Sequence, residues 1–160
     1  MTKFLSVFIA SLALFSASLV PAHAAGSGFK GQSLVQEYLY DYSVDGGSTS
    51  AFIDLSAKKW AQPLAVGCVV DAVNYHVISA LTSSGAATIA VGDASNNARY
   101  VTATGYLGGA FDTDDVRAAS GVPIVVDAAN TGKFGVKFAG AAVTAGKIMF
   151  YVKYYCPKNQ

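Results

Sequence analysis

Acidic side chains gather in one short segment of the chain, where Asp112, Asp114 and Asp115 fall within four residues. A second segment rich in side-chain oxygens runs over residues 93–97. Hard divalent cations prefer carboxylate and amide oxygens. Neither segment has the spacing of an EF-hand loop, and turn aspartates commonly bind the local backbone instead. The pattern makes Ca²⁺ the one cofactor to test, with Asp112, Asp114 and Asp115 as its ligands or else as solvated turn residues.

The groups that catalysis requires are scarce. Beyond the first 24 residues His76 is the single histidine, and its neighbours Tyr75 and Val77 favour a half-buried structural histidine over a general base. Glu37 is the only glutamate, so paired catalytic carboxylates would have to come from aspartates that cluster in turns. No Gly-x-Ser-x-Gly sequence marks a nucleophile, and zinc-ligand spacing is missing. The sequence predicts a protein without enzymatic activity.

Two cysteines, Cys68 and Cys156, complete the inventory of reactive groups. An even number of cysteines in an exported chain predicts a disulfide, which would close a long loop. The alternative is a pair of buried free thiols. A catalytic cysteine is disfavoured because no histidine lies nearby in sequence to stabilise a thiolate.

The first 24 residues have the features of an export signal. Lys3 supplies a positive charge, residues 4–20 are mostly apolar, and Ala22-His23-Ala24 places small residues at the positions that signal peptidase reads. We therefore expect residues 1–24 to be a signal peptide, cleaved after Ala24, and the protein to be secreted, extracellular or periplasmic. A retained membrane anchor is the alternative, although four serines interrupt the apolar run. No later segment is apolar for long enough to predict a transmembrane helix.

Composition limits the classes of partner. The chain has 160 residues, 52% hydrophobic and 13% charged. Removing residues 1–24 also removes Lys3, and the rest of the chain has 10 basic and 10 acidic residues. Its length suits one domain. Without an excess of positive charge, nucleic acid is not expected as a partner. The remaining partners are further copies of the chain, or other subunits of a particle or surface.

Turn residues recur at short intervals, and no segment has the periodicity of an amphipathic helix. We read residues 25–32, with three glycines among eight residues, as a flexible N-terminal arm, and residues 33–160 as one domain. The predicted fold is all-β: a single two-sheet β-sandwich, jelly-roll-like, with about eight antiparallel strands. The predicted strands are residues 33–44, 50–55, 64–81, 86–91, 99–103, 124–127, 133–138 and 147–155.

The last predicted strand is apolar on both faces. Alternation places Ile148, Phe150, Val152 and Tyr154 toward the core, so that Met149, Tyr151 and Tyr155 lie on the opposite face with Lys153 among them to solvate it. A strand of this kind is covered on both sides. We expect Met149, Tyr151 and Tyr155 to form part of an interface.

Three runs of sequence resemble those of small tailed-phage virion proteins. They are Leu-Ala-Val-Gly-Cys-Val-Val at 64–70, Thr-Ile-Ala-Val-Gly-Asp at 88–93 with Asn-Ala-Arg-Tyr-Val at 97–101, and Thr-Ala-Gly-Lys-Ile-Met-Phe-Tyr-Val at 144–152. The similarity covers roughly residues 50–155. It implies a β-sandwich that serves as a capsid decoration or fibre module, with a role in particle assembly or surface display and no catalytic residues. Together with the export signal, it implies a subunit of a surface layer, sheath or filament.

The leading functional hypothesis is therefore an exported, non-enzymatic structural protein that self-assembles or decorates a particle or cell surface. Residues 25–32 offer a mechanism, because an extended arm can add to the sheet edge of a neighbouring subunit, with Phe29 as its anchoring side chain. The alternative function is a carbohydrate-binding module in which Trp60, Tyr75, Tyr100 and Tyr106 stack on sugars. Those four rings could equally belong to the core.

Overall fold

The computed structural model describes residues 32–107, 111, 117–118, 123–129 and 132–157. These residues form nine antiparallel strands, two of them only two residues long, together with one short helix, α1 (Tyr42–Asp45), and a 3₁₀ turn (Leu55–Ala57). The strands are β1 (Leu34–Asp41), β2 (Phe52–Asp54), β3 (Val69–Ser83), β4 (Thr88–Gly92), β5 (Val101–Gly105), β6 (Arg117–Ala118), β7 (Ile124–Val125), β8 (Gly135–Ala139) and β9 (Val143–Tyr155).

The strands are divided between two sheets. The five-stranded sheet has the order β1-β9-β3-β6, with β7 also paired to β3, and the four-stranded sheet has the order β2-β8-β4-β5. The chain passes back and forth between the sheets, so β1, β3 and β9 lie in one and β2, β4 and β8 in the other. This crossing arrangement is that of a jelly roll. The all-β sandwich predicted from the sequence is confirmed.

The core between the sheets is rich in stacked aromatic rings. Phe134 is fully buried and its ring centroid lies 4.6 Å from that of Tyr38, 5.7 Å from Tyr100 and 5.5 Å from Phe150. Such offset and edge-to-face contacts add to the free energy gained from burial alone. Because Tyr38 and Phe150 belong to the five-stranded sheet, Phe134 holds the two layers together just before β8 begins.

The first strand is shorter than the sequence predicts. We expected residues 33–44 to be extended, but the strand ends at Asp41, whose carboxylate accepts a hydrogen bond from the backbone nitrogen of Ser43 and caps α1. Gly46, with φ of 70°, ends the helix. Capping of this kind competes successfully with the strand preference of Tyr42 and Val44.

The two longest strands also differ from their predicted bounds. The strand expected over residues 64–81 begins only at Val69, because the chain turns at Gly67, where φ is 88°. The strand expected over 147–155 begins earlier, at Val143, because its first residues pair with the far end of β3. A register irregularity separates the Thr82↔Ala145 and Ser83↔Val143 pairs, and pairing with β3 carries β9 through Ala145 and Gly146, whose own strand preference is low.

Candidate assembly surface

The outer face of the five-stranded sheet is an apolar surface with few charges. Cross-strand register places Met149 between Leu39 and His76, and Tyr151 between Glu37 and Asn74. Near the end of the sheet, Val69 pairs with both Tyr155 and Val125. Met149, Tyr151 and Tyr155, the predicted interface residues, thus share one face and are each half-buried. We call this the outer face of the five-stranded sheet.

The outer face carries Glu37 and two pairs of opposite charges. Lys153 lies 2.9 Å from Asp71, and Lys147 lies 2.7 Å from Asp41. Hydrogen bonds from Lys147 and Ser43 lower the pKa of Asp41 to about 2. Both ion pairs are partly exposed, so each adds little to stability. Because the charges within each pair cancel, the face carries little net charge, which suits contact with a protein surface better than contact with a polyanion.

The free edge of β1 is the second notable feature. Among the described strands β1 pairs only with β9, which makes it an edge of the five-stranded sheet. Three contacts show that the backbone groups of its odd-numbered residues point away from β9: the carbonyl of Leu39 accepts from Lys58, the carbonyl of Glu37 accepts from the Gln36 side chain, and the nitrogen of Asp41 donates to Asp45.

Lys58 and Asp45 close one half of this edge. The Lys58 ammonium is 2.5 Å from the Leu39 carbonyl oxygen and 2.7 Å from the Asp45 carboxylate. Sequence reasoning missed this arrangement, since no local spacing links Lys58 to a strand 19 residues earlier. The other half of the edge is open to solvent, with Val35 60% and Leu34 41% exposed.

The two cysteines form a disulfide at one end of the sheet. Cys68 immediately precedes β3 and Cys156 immediately follows β9, and these two strands are neighbours in the sheet. The carbonyl of Cys68 also accepts a hydrogen bond from Val126, next to β7. The pairing agrees with the disulfide predicted from the sequence. It fastens the end of β9 to the start of β3 across 88 residues of chain.

The oxygen-rich segment at 93–97 is a closed turn. Asp93 is fully buried, and its carboxylate accepts hydrogen bonds from the backbone nitrogens of Ser95 and Asn96, from the Ser95 hydroxyl and from the Arg99 guanidinium. Burial alone would raise the pKa of Asp93, but these hydrogen bonds lower it. With a guanidinium in contact and its oxygens already used, Asp93 holds the turn between β4 and β5 and does not serve as the calcium ligand considered above.

Several predicted site residues lie outside the part of the chain that the structure describes. Asp112, Asp114 and Asp115 are among them, as is Phe29 with the rest of the arm up to residue 31 and the signal peptide at 1–24. Calcium binding at the three aspartates therefore stays a prediction, which a lower melting temperature in EDTA would support. The described residues contain no group of three or more side chains suited to hold a metal ion.

The rings proposed to bind sugars do not form one exposed platform. Tyr75 and Tyr100 belong to the core, where they are 3% and 5% exposed, whereas Trp60 is 52% exposed. Tyr75 stacks on Phe111 and Tyr100 on Phe134. The prediction of a four-ring platform is wrong, because Tyr75 points inward from β3, and Tyr100, just before β5, packs on Phe134 between the sheets. In the described segments no helix has the length and hydropathy of a membrane span.

Comparison with solved structures places this fold among chains of phage capsids. A chain of the capsid asymmetric unit of cyanophage Pam1 matches with a TM-score of 0.60 and 24% sequence identity, over 91% of this chain and 100% of that one. A chain of the acid-stable capsid of Helicobacter pylori bacteriophage KHP30 matches with a TM-score of 0.54 and 14% identity, over 79% and 89%. The predicted resemblance to phage virion proteins is thus confirmed at the level of the fold. No protein-family model and no curated protein matches the sequence.

Proposed function

We propose that this protein is a non-enzymatic structural subunit that assembles into, or decorates, a phage-type particle or a related surface assembly. The observation that carries the proposal is the shared fold: a single jelly roll aligns with a phage capsid chain over that chain's full length. The outer face of the five-stranded sheet supports it, because its half-buried apolar side chains and its low net charge suit packing against other protein.

The interface in this proposal consists of the outer face around Met149, Tyr151 and Tyr155, together with the arm at residues 25–32. The arm comes just before β1 in the chain, and β1 begins at Leu34 in the open half of the sheet edge. Phe29 lies five residues before Leu34, so a fully extended chain carries it at most about 18 Å from the start of β1, enough to reach a neighbouring subunit packed against this edge. Deleting residues 25–32 is expected to leave the fold intact and to abolish assembly.

Export is the second part of the proposal. A leader with a small-x-small cleavage pattern and a paired set of cysteines support passage through an oxidising compartment. Intact mass spectrometry of the exported protein tests both points together. We expect a chain that begins at Ala25 and is lighter by two hydrogen atoms than the reduced form. A chain that retains residues 1–24 would contradict cleavage.

The test of assembly is negative-stain electron microscopy of residues 25–160 at micromolar concentration, with and without Ca²⁺. Regular particles, sheets or filaments are expected. A matched sample in which the outer face carries a charge, Met149→Lys, should remain folded and fail to assemble. The proposal is contradicted if the wild-type protein stays monomeric and also fails to sediment with virus-like particles formed in the same cells.

A further inference from the structure

We propose that two copies of this chain associate through the open half of the β1 edge, pairing antiparallel about Gln36, so that two five-stranded sheets join into one. The inference rests on the proposed function, since it names the partner and the surface for one contact of the assembly. The inference depends on two observations. The first is which backbone N–H and C=O groups of β1 point away from β9, and the second is which of those groups already have a hydrogen-bond partner.

The outward backbone groups of β1 are those of its odd-numbered residues, as the contacts of Leu39 and Asp41 show. In an antiparallel ladder the N–H and C=O of such a residue point to the same side. Val35 and Glu37 therefore present two donors and two acceptors to the open side of β1. The carbonyl of Glu37 accepts only a 3.2 Å hydrogen bond from the exposed Gln36 side chain, which a strand can readily displace.

A two-fold axis at Gln36 satisfies these groups. It places Val35 of one copy opposite Glu37 of the other, and the reverse, which forms four backbone hydrogen bonds. The next outward pair would join Ser33 to Leu39, but the Leu39 carbonyl is already bound to Lys58. Lys58 therefore limits the pairing to a short central segment. Short pairing of this kind favours a defined dimer over open-ended sheet growth.

Charge complementarity supports a second copy of the chain as the partner that pairs with the open half of the β1 edge. On the outer face Val35 lies next to Lys153 of the same chain, and in the dimer Glu37 of the second copy lies on the other side of Val35. The backbones at Lys153 and that Glu37 are then about 10 Å apart, within reach of their extended side chains. The exposed Lys153–Asp71 pair costs little to rearrange. Each dimer contains this opposite-charge contact twice.

The sequence of the arm makes it a weaker occupant of the same edge. Residues 25–31 include Gly26, Gly28 and Gly31, which weaken a strand, whereas β1 already has its extended backbone fixed by pairing with β9. A preformed strand loses less conformational entropy on association. In the two-fold arrangement each arm continues from β1 toward the partner's Lys58, so edge pairing and arm contacts are compatible.

Val35→Pro tests the pairing. It removes an outward N–H and adds ring bulk at the open edge without touching the hydrogen bonds between β1 and β9. The control, Val35→Thr, keeps the N–H. Sedimentation of residues 25–160 should give a dissociation constant raised at least about tenfold by Val35→Pro and little changed by Val35→Thr. Unfolding curves of both variants establish that they are folded. Equal dimerisation of Val35→Pro and wild type would overturn the proposal.

A charge exchange gives a result that general destabilisation cannot produce. Glu37→Lys places two lysines together in each contact, and Lys153→Glu places two glutamates together, so each variant alone should dimerise poorly. An equimolar mixture restores opposite charges in both contacts and should form heterodimers. Failure of the mixture to associate better than either variant would contradict the two-fold register.

Amide hydrogen exchange separates this inference from the proposed function. In the wild type the amides of Val35 and Glu37 should become protected as concentration rises, while those of β5, an edge of the four-stranded sheet, are unaffected. Assemblies that form with these amides unprotected would overturn the edge pairing and leave the structural role standing. A wild-type chain that neither self-associates nor sediments with particles would overturn both.

Discussion

The side-chain ammonium of Lys58 donates a hydrogen bond to the backbone carbonyl of Leu39, 2.5 Å away. This contact lies at the free edge of β1, on the side away from β9. The same ammonium is 2.7 Å from Asp45, and both side chains are largely buried. An unpaired strand edge is a template for association with other chains. The contact between Lys58 and Leu39 therefore covers part of that edge, while the segment around Val35 remains open.

Lys58→Met should destabilise the fold by about 1–3 kcal/mol, because the buried Asp45 carboxylate and the Leu39 carbonyl lose their charged donor. It should also lengthen the open edge and increase association. Urea unfolding and sedimentation measure the two effects. Lys59→Met, which removes the same charge from an exposed neighbouring position, is the control and should be nearly neutral. Equal stabilities of the two variants would refute the role of Lys58.

Asp93→Asn should cost about 2–3 kcal/mol, because it weakens charged hydrogen bonds from Arg99 and the turn backbone in a fully buried position. Chemical denaturation at neutral pH measures the loss. Asp71→Asn, which removes one carboxylate of an exposed ion pair, is the control and should change stability by less than about 0.5 kcal/mol. A loss no larger than that of the control would contradict the importance of the closed turn.

Asp93 should contribute to the way the free energy of unfolding depends on pH in acid. The folded-state pKa of its carboxyl lies below the unfolded value, so its contribution is present above the unfolded pKa of about 3.9 and is lost as the pH falls through the folded pKa. Wild type should therefore lose stability over that acid range more steeply than Asp93→Asn. Parallel curves for the two proteins below about pH 4 would show that Asp93 does not carry this linkage.

The disulfide should contribute about 4–5 kcal/mol, the value that the chain-entropy model gives for closing a loop of 88 residues. Replacing Cys68 and Cys156 together by serine tests this by denaturant unfolding. Reduction of the wild-type protein is the matched control, because it opens the same loop without changing the sequence. Free thiols in the native exported protein would show that the bond does not form there.

The alternation of the core strands could be predicted from the sequence, and the edges of the sheets could not. Ile148, Phe150 and Val152 are fully buried, as their period of two predicts, because one buried face fixes which residues point inward. The start of β9 at Val143 depends instead on pairing with β3, more than 60 residues earlier. Local preference contains no information about that partner.

The assembly surface, like the fold, could be predicted from the sequence only in part. Met149, Tyr151 and Tyr155 could be assigned to one face from spacing alone. The closure of the β1 edge by Lys58 depends on where the loop after the 3₁₀ turn lies in space. Likewise, residue type made Tyr75 and Tyr100 candidates for a sugar platform, but the tertiary packing of the two sheets buries both.

Phe150 and Tyr151 are adjacent on β9, and substituting each in turn distinguishes an effect on stability from an effect on assembly. Phe150 is fully buried against Phe134 and Tyr75, so Phe150→Ala should cost about 3–5 kcal/mol of unfolding free energy. Tyr151 lies on the outer face between Glu37 and Asn74, so Tyr151→Ala should cost about 1 kcal/mol or less and yet weaken assembly. Denaturant unfolding and negative-stain microscopy of the two variants give both readouts. If Tyr151→Ala assembles like wild type, the outer face of the five-stranded sheet is not the interface, whatever its effect on stability.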